Sequence, residues 1–141
     1  MATNPTHNAP VVQDNESAVA RSLAEGNFLQ TYLLLHALTE SLLRAVLTHD
    51  DDRPSFNDLI NAYRMFLDQN KYPIPTFVDE LVQFNRRRNR IVHQLWQKGF
   101  TLTNAQTEPA ARAAVMMYGL LIEWFGTFDD SIAKKGLTLS K

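Results

Sequence analysis

The sequence predicts an all-α fold, an antiparallel four-helix bundle. Three observations lead there: 141 residues include only five glycines, clusters of β-branched residues are absent, and apolar residues recur at spacings of three and four. Four helical segments joined by short connections favour antiparallel neighbours. The length fits one domain. With 45% hydrophobic and 21% charged residues, the chain can bury a core without metal or disulfide.

The elements follow in order. Residues 1–14, with Pro5 and Pro10 among Asn and Thr, read as a flexible tail. A first helix is expected from about Glu16 to His49 on the stripe Phe28, Leu35, Leu38, Leu42 and Val46, with Gly26-Asn27 the place where it can loosen or split. Asp50-Asp51-Asp52-Arg53-Pro54 ends it, since a proline disfavours helix in the residue before it. Ser55 caps the second helix, and Asp58 three residues on completes a capping-box pattern. Phe56, Leu59, Ile60, Tyr63, Phe66 and Leu67 carry it to Asn70, and Tyr72-Pro73-Ile74-Pro75 connects onward.

The third helix is expected to start at Thr76 as cap, with Asp79 and Glu80 in its first turn, where the helix dipole favours acids. Its stripe is Phe77, Leu81, Phe84, Ile91 and Leu95, and Gly99 stops it. Phe100 to Gln106 reads as a loop. A fourth helix then runs from Thr107-Glu108-Pro109 to Lys134-Lys135, with Gly136 beyond. It carries two apolar stripes, Ala114/Tyr118/Leu121/Phe125 and Met116/Leu120/Trp124. One suffices for a bundle core; the other suits either a homodimer contact or a helix buried all round. The single domain is therefore 15–136, with a C-terminal tail at 137–141.

Composition excludes several chemistries. Without cysteine there is no disulfide scaffold, thiolate zinc site or thiol nucleophile. The longest apolar run, Ala113 to Ile122, is far short of the ~20 residues of a membrane span. Met1 to Asp14 has no Lys or Arg, unlike a secretory signal. A soluble, cytoplasmic protein without a membrane partner is expected.

Charge is distributed unevenly. The net charge is −1, yet residues 81–107 hold Arg86, Arg87, Arg88, Arg90 and Lys98 and no acid, a local +5 against −6 elsewhere. Such a strip is either a focused anion site or a solvated, arginine-rich helix face.

The strip centres on Arg86-Arg87-Arg88-Asn89-Arg90-Ile91-Val92-His93. On a helix, Asn89, His93 and Gln97 share a face with Arg86, while Arg88 lies about 140° from His93 at the edge of the apolar stripe. From there a guanidinium can snorkel toward the histidine. Arginine and histidine together suffice to cleave RNA. Imidazole can take a proton from the ribose 2′-OH or give one to the leaving 5′-oxygen, and guanidinium can clamp the phosphate. Asn89 can orient either group. The bland alternative is a helix whose arginines pair with neighbouring acids.

Arg88-Asn89-Arg90-Ile91-Val92-His93 resembles the motif of the HEPN superfamily: Arg, a polar residue that is often Asn, three residues, then His, on the third helix of a four- or five-helix bundle. Leu38-Thr39-Glu40-Ser41-Leu42-Leu43-Arg44-Ala45 is similar to that family's first-helix pattern, and Ser55-Phe56-Asn57-Asp58-Leu59-Ile60 to its capped second helix. The likeness covers about residues 25–130. It implies a metal-independent, cofactor-free endoribonuclease acting as a homodimer, in a family rich in toxins, defence effectors and RNA-processing factors. An antitoxin or regulatory protein partner is implied too. Arg88, Asn89 and His93 would be catalytic, and Arg86, Arg87, Arg90, Gln97 and Lys98 would bind RNA. The family's variable spacing also admits Arg86 or Arg87 as the active arginine; the Arg-Asn pair selects Arg88. Leu95 stands where one toxin branch carries a modifiable tyrosine. Some members are non-catalytic modules that bind RNA, nucleotide or a partner protein, which leaves that alternative open.

The remaining groups point to structure. His36 and Glu40 have metal-ligand spacing, but a di-metal bundle needs a Glu-x-x-His pair that is absent. His36 reads as a core-edge histidine and Glu40 as a partner of Arg44. Trp96 and Trp124 could stack bases, yet both sit where packing would place an aromatic. His7 and His49 read as surface residues.

Overall fold

The computed structural model describes residues 9–47, 55–129 and 131–132. They form five α-helices and no strand among the described residues: α1 (Ala9–Ala24), α2 (Phe28–Leu47), α3 (Phe56–Gln69), α4 (Val78–Lys98) and α5 (Phe100–Gly126). The all-α expectation holds, with five helices in place of four.

The extra helix arises where Gly26-Asn27 interrupts the expected first helix. Gly26 adopts φ +75°, a conformation open to a residue without Cβ. Its N–H reaches the Leu23 carbonyl and that of Asn27 the Ser22 carbonyl, the paired bonds of a Schellman stop. Asn27 then caps α2, its Oδ1 accepting from the Gln30 N–H at 3.3 Å.

α1 also begins earlier than the tail reading of residues 1–14 allows. Pro10 fits a first helical turn, where its missing N–H is not needed. Val12, Glu16, Val19 and Ser22 form the buried face, with Val12 only 3% exposed. The Tyr118 hydroxyl donates to Glu16 at 2.7 Å, tying α5 to α1. Burial, and the adjacent carboxylate, push that phenol well above its ordinary pKa.

The second predicted helix matches α3 closely. Ser55 accepts from the Asp58 N–H, and the Asp58 carboxylate accepts from the Ser55 N–H, both at 3.1 Å. Asn70 closes the helix. The next start differs: α4 is preceded by Phe77 at φ 68°, with no side-chain cap. Thr76 contributes its carbonyl instead, accepting from the Tyr63 hydroxyl.

The largest correction falls at residues 100–106, which are helix. Gly99, at φ 85° and ψ 172°, lets α5 start one residue after α4 ends. Thr107 Oγ1 donates to the Thr103 carbonyl at 2.7 Å within the helix, while the buried Thr103 hydroxyl has no partner among the described residues. Asn104 is a cross-brace, accepting from Leu29 N–H and donating to the Gly26 carbonyl, both at 2.9 Å. Pro109 is therefore interior to α5 and removes one bond, to Ala105, whose exposed position lets water serve the carbonyl. α5 ends at Gly126, before the expected Lys134-Lys135. That stop, the Asp50–Pro54 stop, His7, His49 and the 137–141 tail lie outside the described residues.

The buried core is one cluster drawn from all five helices. α2, not the last helix, is central and packs against each of the others. No helix is long and apolar enough to cross a membrane among the described residues.

Gly99 occupies a backbone region open essentially to glycine alone. Gly99→Ala is expected to lower stability by about 1–3 kcal/mol, read from chemical denaturation. An unchanged midpoint would mean that the α4–α5 corner relaxes around a Cβ.

Candidate nucleic-acid interface

α4 has two unlike halves. Val78, Leu81 and Phe84 bury its first half, whereas Ile91 alone is buried after Phe84. The change of character coincides with two ties to α2. The Tyr32 hydroxyl donates to the Phe84 carbonyl at 2.7 Å, and His36 Nε2 lies 3.0 Å from Asn85 Oδ1. An amide oxygen only accepts, so His36 donates from Nε2. Asn85 passes its own N–H to Asn57 of α3, at 3.3 Å. Three helices are thus joined immediately before the arginine run.

Beyond that junction the strip faces solvent. Arg86, Arg87, Arg88, Asn89, Arg90, His93, Gln97 and Lys98 are all exposed. The ion pairs between described residues are Glu40–Arg44 at 2.9 Å and Glu108–Arg112 at 3.0 Å; no cation of the strip joins one. The reading in which neighbouring acids neutralise the arginines thus finds no partner among the described residues. Adjacent unpaired cations, such as Arg86 and Arg90 one turn apart, cost the helix a few tenths of a kcal/mol per pair.

Within the strip, Arg88 Nη1 donates to Asn89 Oδ1 at 3.1 Å. This bond draws the guanidinium from the stripe edge around toward Asn89, whose side chain is one turn from His93. The Arg88 charge also acts on His36 of α2, adding to burial in holding its pKa below the ordinary 6.5. The Asn85 hydrogen bond and Glu40 oppose that shift without cancelling it. Arg87 and Arg90 similarly bear on Tyr32, whose phenol burial nevertheless raises far above its usual range.

His36 is the core-edge histidine expected from sequence, stacked on Phe56 at 4.4 Å and on Phe84 at 5.3 Å. No group of three metal-ligating side chains occurs among the described residues. The two tryptophans diverge. Trp124 is packed against Tyr72 and Phe128 and donates to the Tyr63 hydroxyl at 2.9 Å. Trp96 is 84% exposed, contrary to the packing role expected for both. Asn85 was silent in the sequence because its role depends on α2 standing opposite.

On the other side of α4, a groove of about 680 Å³ runs between α4 and α5, lined by Tyr32, Phe84, Ala113, Met117 and Arg87 among others. Met116, 71% exposed, and Leu120 stand on the α5 rim. They belong to the second apolar stripe, of which only Trp124 is packed.

A histidine whose folded pKa is depressed binds fewer protons folded than unfolded, so stability falls as pH drops below about 6.5. The expected slope is at most about 1.4 kcal/mol per pH unit. His36→Gln keeps an amide donor for Asn85 and should remove this component; denaturation midpoints from pH 7.5 to 5 decide it. An identical slope in the variant would assign the acid sensitivity elsewhere.

No known family model matches this chain, and no curated protein or solved structure is significantly similar to it.

Proposed function

We propose that this protein is a metal-independent endoribonuclease of HEPN type, serving as a toxin or defence effector. The observation that carries the proposal is the exposed, unpaired run of cations around Arg88, Asn89 and His93 on the second half of α4. A helix that bears this repulsion without internal compensation is suited to a polyanion.

In the proposed reaction, His93 takes the proton of a ribose 2′-OH or protonates the leaving 5′-oxygen. Arg88 holds the scissile phosphate and stabilises its growing charge. Asn89, already bonded to Arg88, orients that guanidinium. Arg86, Arg87, Arg90, Gln97 and Lys98 follow the RNA backbone. Attack by the 2′-oxygen on phosphorus expels the 5′-oxygen and leaves a 2′,3′-cyclic phosphate. Self-association is part of the reading, supported by the exposed Met116 and Leu120 beside the α4–α5 groove. An antitoxin or regulatory protein would act on the same cationic face.

RNA cleavage in EDTA tests the proposal. Wild type is expected to cut, whereas His93→Ala and Arg88→Ala should each lose about 10²-fold or more, with unchanged circular dichroism. RNA bound but not cut by any form would establish the non-catalytic binding module instead. Cleavage that requires added magnesium would refute the mechanism.

A further inference from the structure

An 84% exposed tryptophan on a well-formed helix calls for a partner. Indole has a large apolar face whose burial is favourable. Trp124, the only other tryptophan, meets that demand internally through ring contacts and a hydrogen bond. Trp96 has no ring contact among the described residues and stands in the last turns of α4. His93 precedes it by three residues, making the two neighbours on the helix surface. Val92 and Arg88 lie one and two turns back on the same side, with Val92 itself exposed. Lys98 follows, and exposed Phe100 continues the apolar surface past Gly99.

We infer that Trp96 is a base-stacking platform that restricts this site to single-stranded RNA. The inference rests on the proposed RNA reading and names its substrate class. Three residues of helix advance about 4.5 Å. A nucleotide whose phosphate contacts His93 can therefore lay its base on the Trp96 ring. Stacking accepts any base, but only one whose face is free, so paired segments are poor ligands. The flanking cations fix the choice of occupant. An apolar protein surface would have to desolvate His93, Lys98 and the arginines, whereas a polyanion neutralises them.

The test uses a uridine oligonucleotide with 2′-O-methyl riboses, which binds without offering a 2′-OH for attack. In Trp124→Phe protein, where Trp96 alone emits, the strand is expected to quench fluorescence; in Trp96→Phe protein, where Trp124 alone emits, quenching should be lost. Trp96→Ala should weaken binding about 5- to 150-fold, and Trp96→Phe should recover most of it. The salt dependence of binding should be unchanged in Trp96→Ala but shallower in Arg88→Ala, because only the latter removes a phosphate contact. Wild-type affinity in Trp96→Ala, or equal affinity for the strand and its duplex, would overturn the inference and leave the RNA reading standing. So would conversion of a dimer to a monomer by Trp96→Ala in light scattering, which would assign the ring to self-association. Failure of the wild type to bind the strand at low salt would overturn both.

Discussion

The molecule depends on the helix at its centre. α2 contacts each of the other four helices, and Leu35, Leu38, Leu42 and Leu43 lose all exposure. Polar side chains on its buried faces call for protein partners, and several find them, while the buried Thr39 hydroxyl has none among the described residues. Thr31 meets Ser22 of α1 at 2.7 Å. Tyr32 reaches the Phe84 carbonyl, His36 reaches Asn85, and Glu40 pairs with Arg44. Two of these four contacts fall on consecutive residues of α4. The apolar environment that strengthens them also makes them costly to break, so α2 sets the position and rotation of α4.

That constraint explains how four arginines in five positions are tolerated. Repulsion along one helix face is weak per pair, whereas the burial of Leu81 and Phe84 and the two ties stabilise the first half of α4 far more. The second half then extends as a continuation of an anchored helix, held in register by the buried Ile91 and the partly buried Leu95. Its cations need no contribution to folding. They are free to stay hydrated and unpaired, the state in which phosphate contact is least opposed by competing partners.

Legibility in the sequence followed the range of the interaction involved. The Ser55–Asp58 box, the Asn70 and Gly99 stops and the Glu40–Arg44 pair are local, and their residues announce them. Gly26 was visible as a weak point, and the split follows from its φ of +75°. Misreadings arose where a local signal had a second meaning. Pro10 marks a tail or a first turn, and the buried face of Val12, Glu16 and Val19 decides for the turn. Phe100 to Gln106 has loop-like composition, but Asn104 is held by both Gly26 and Leu29, a contact spanning more than seventy residues. Pro109 likewise looked like a helix start. Asn85 and the exposure of Trp96 required knowing which faces the neighbouring helices cover.

Those same two residues mark a division of labour along α4. Up to Asn85 every conspicuous side chain is accounted for by packing or hydrogen bonding. From Arg86 onward the residues that stand out, the arginines, His93, Trp96 and Lys98, do little for the fold. Natural sequences are locally consistent except where function demands otherwise. A run of unpaired cations ending in a bare indole departs from that consistency twice, in charge and in hydrophobicity, on one stretch of one helix. A solvated face accounts for the cations but not for the tryptophan, and an oily protein contact accounts for the tryptophan but not for the cations. A strand carrying both phosphates and free base faces accounts for the two together.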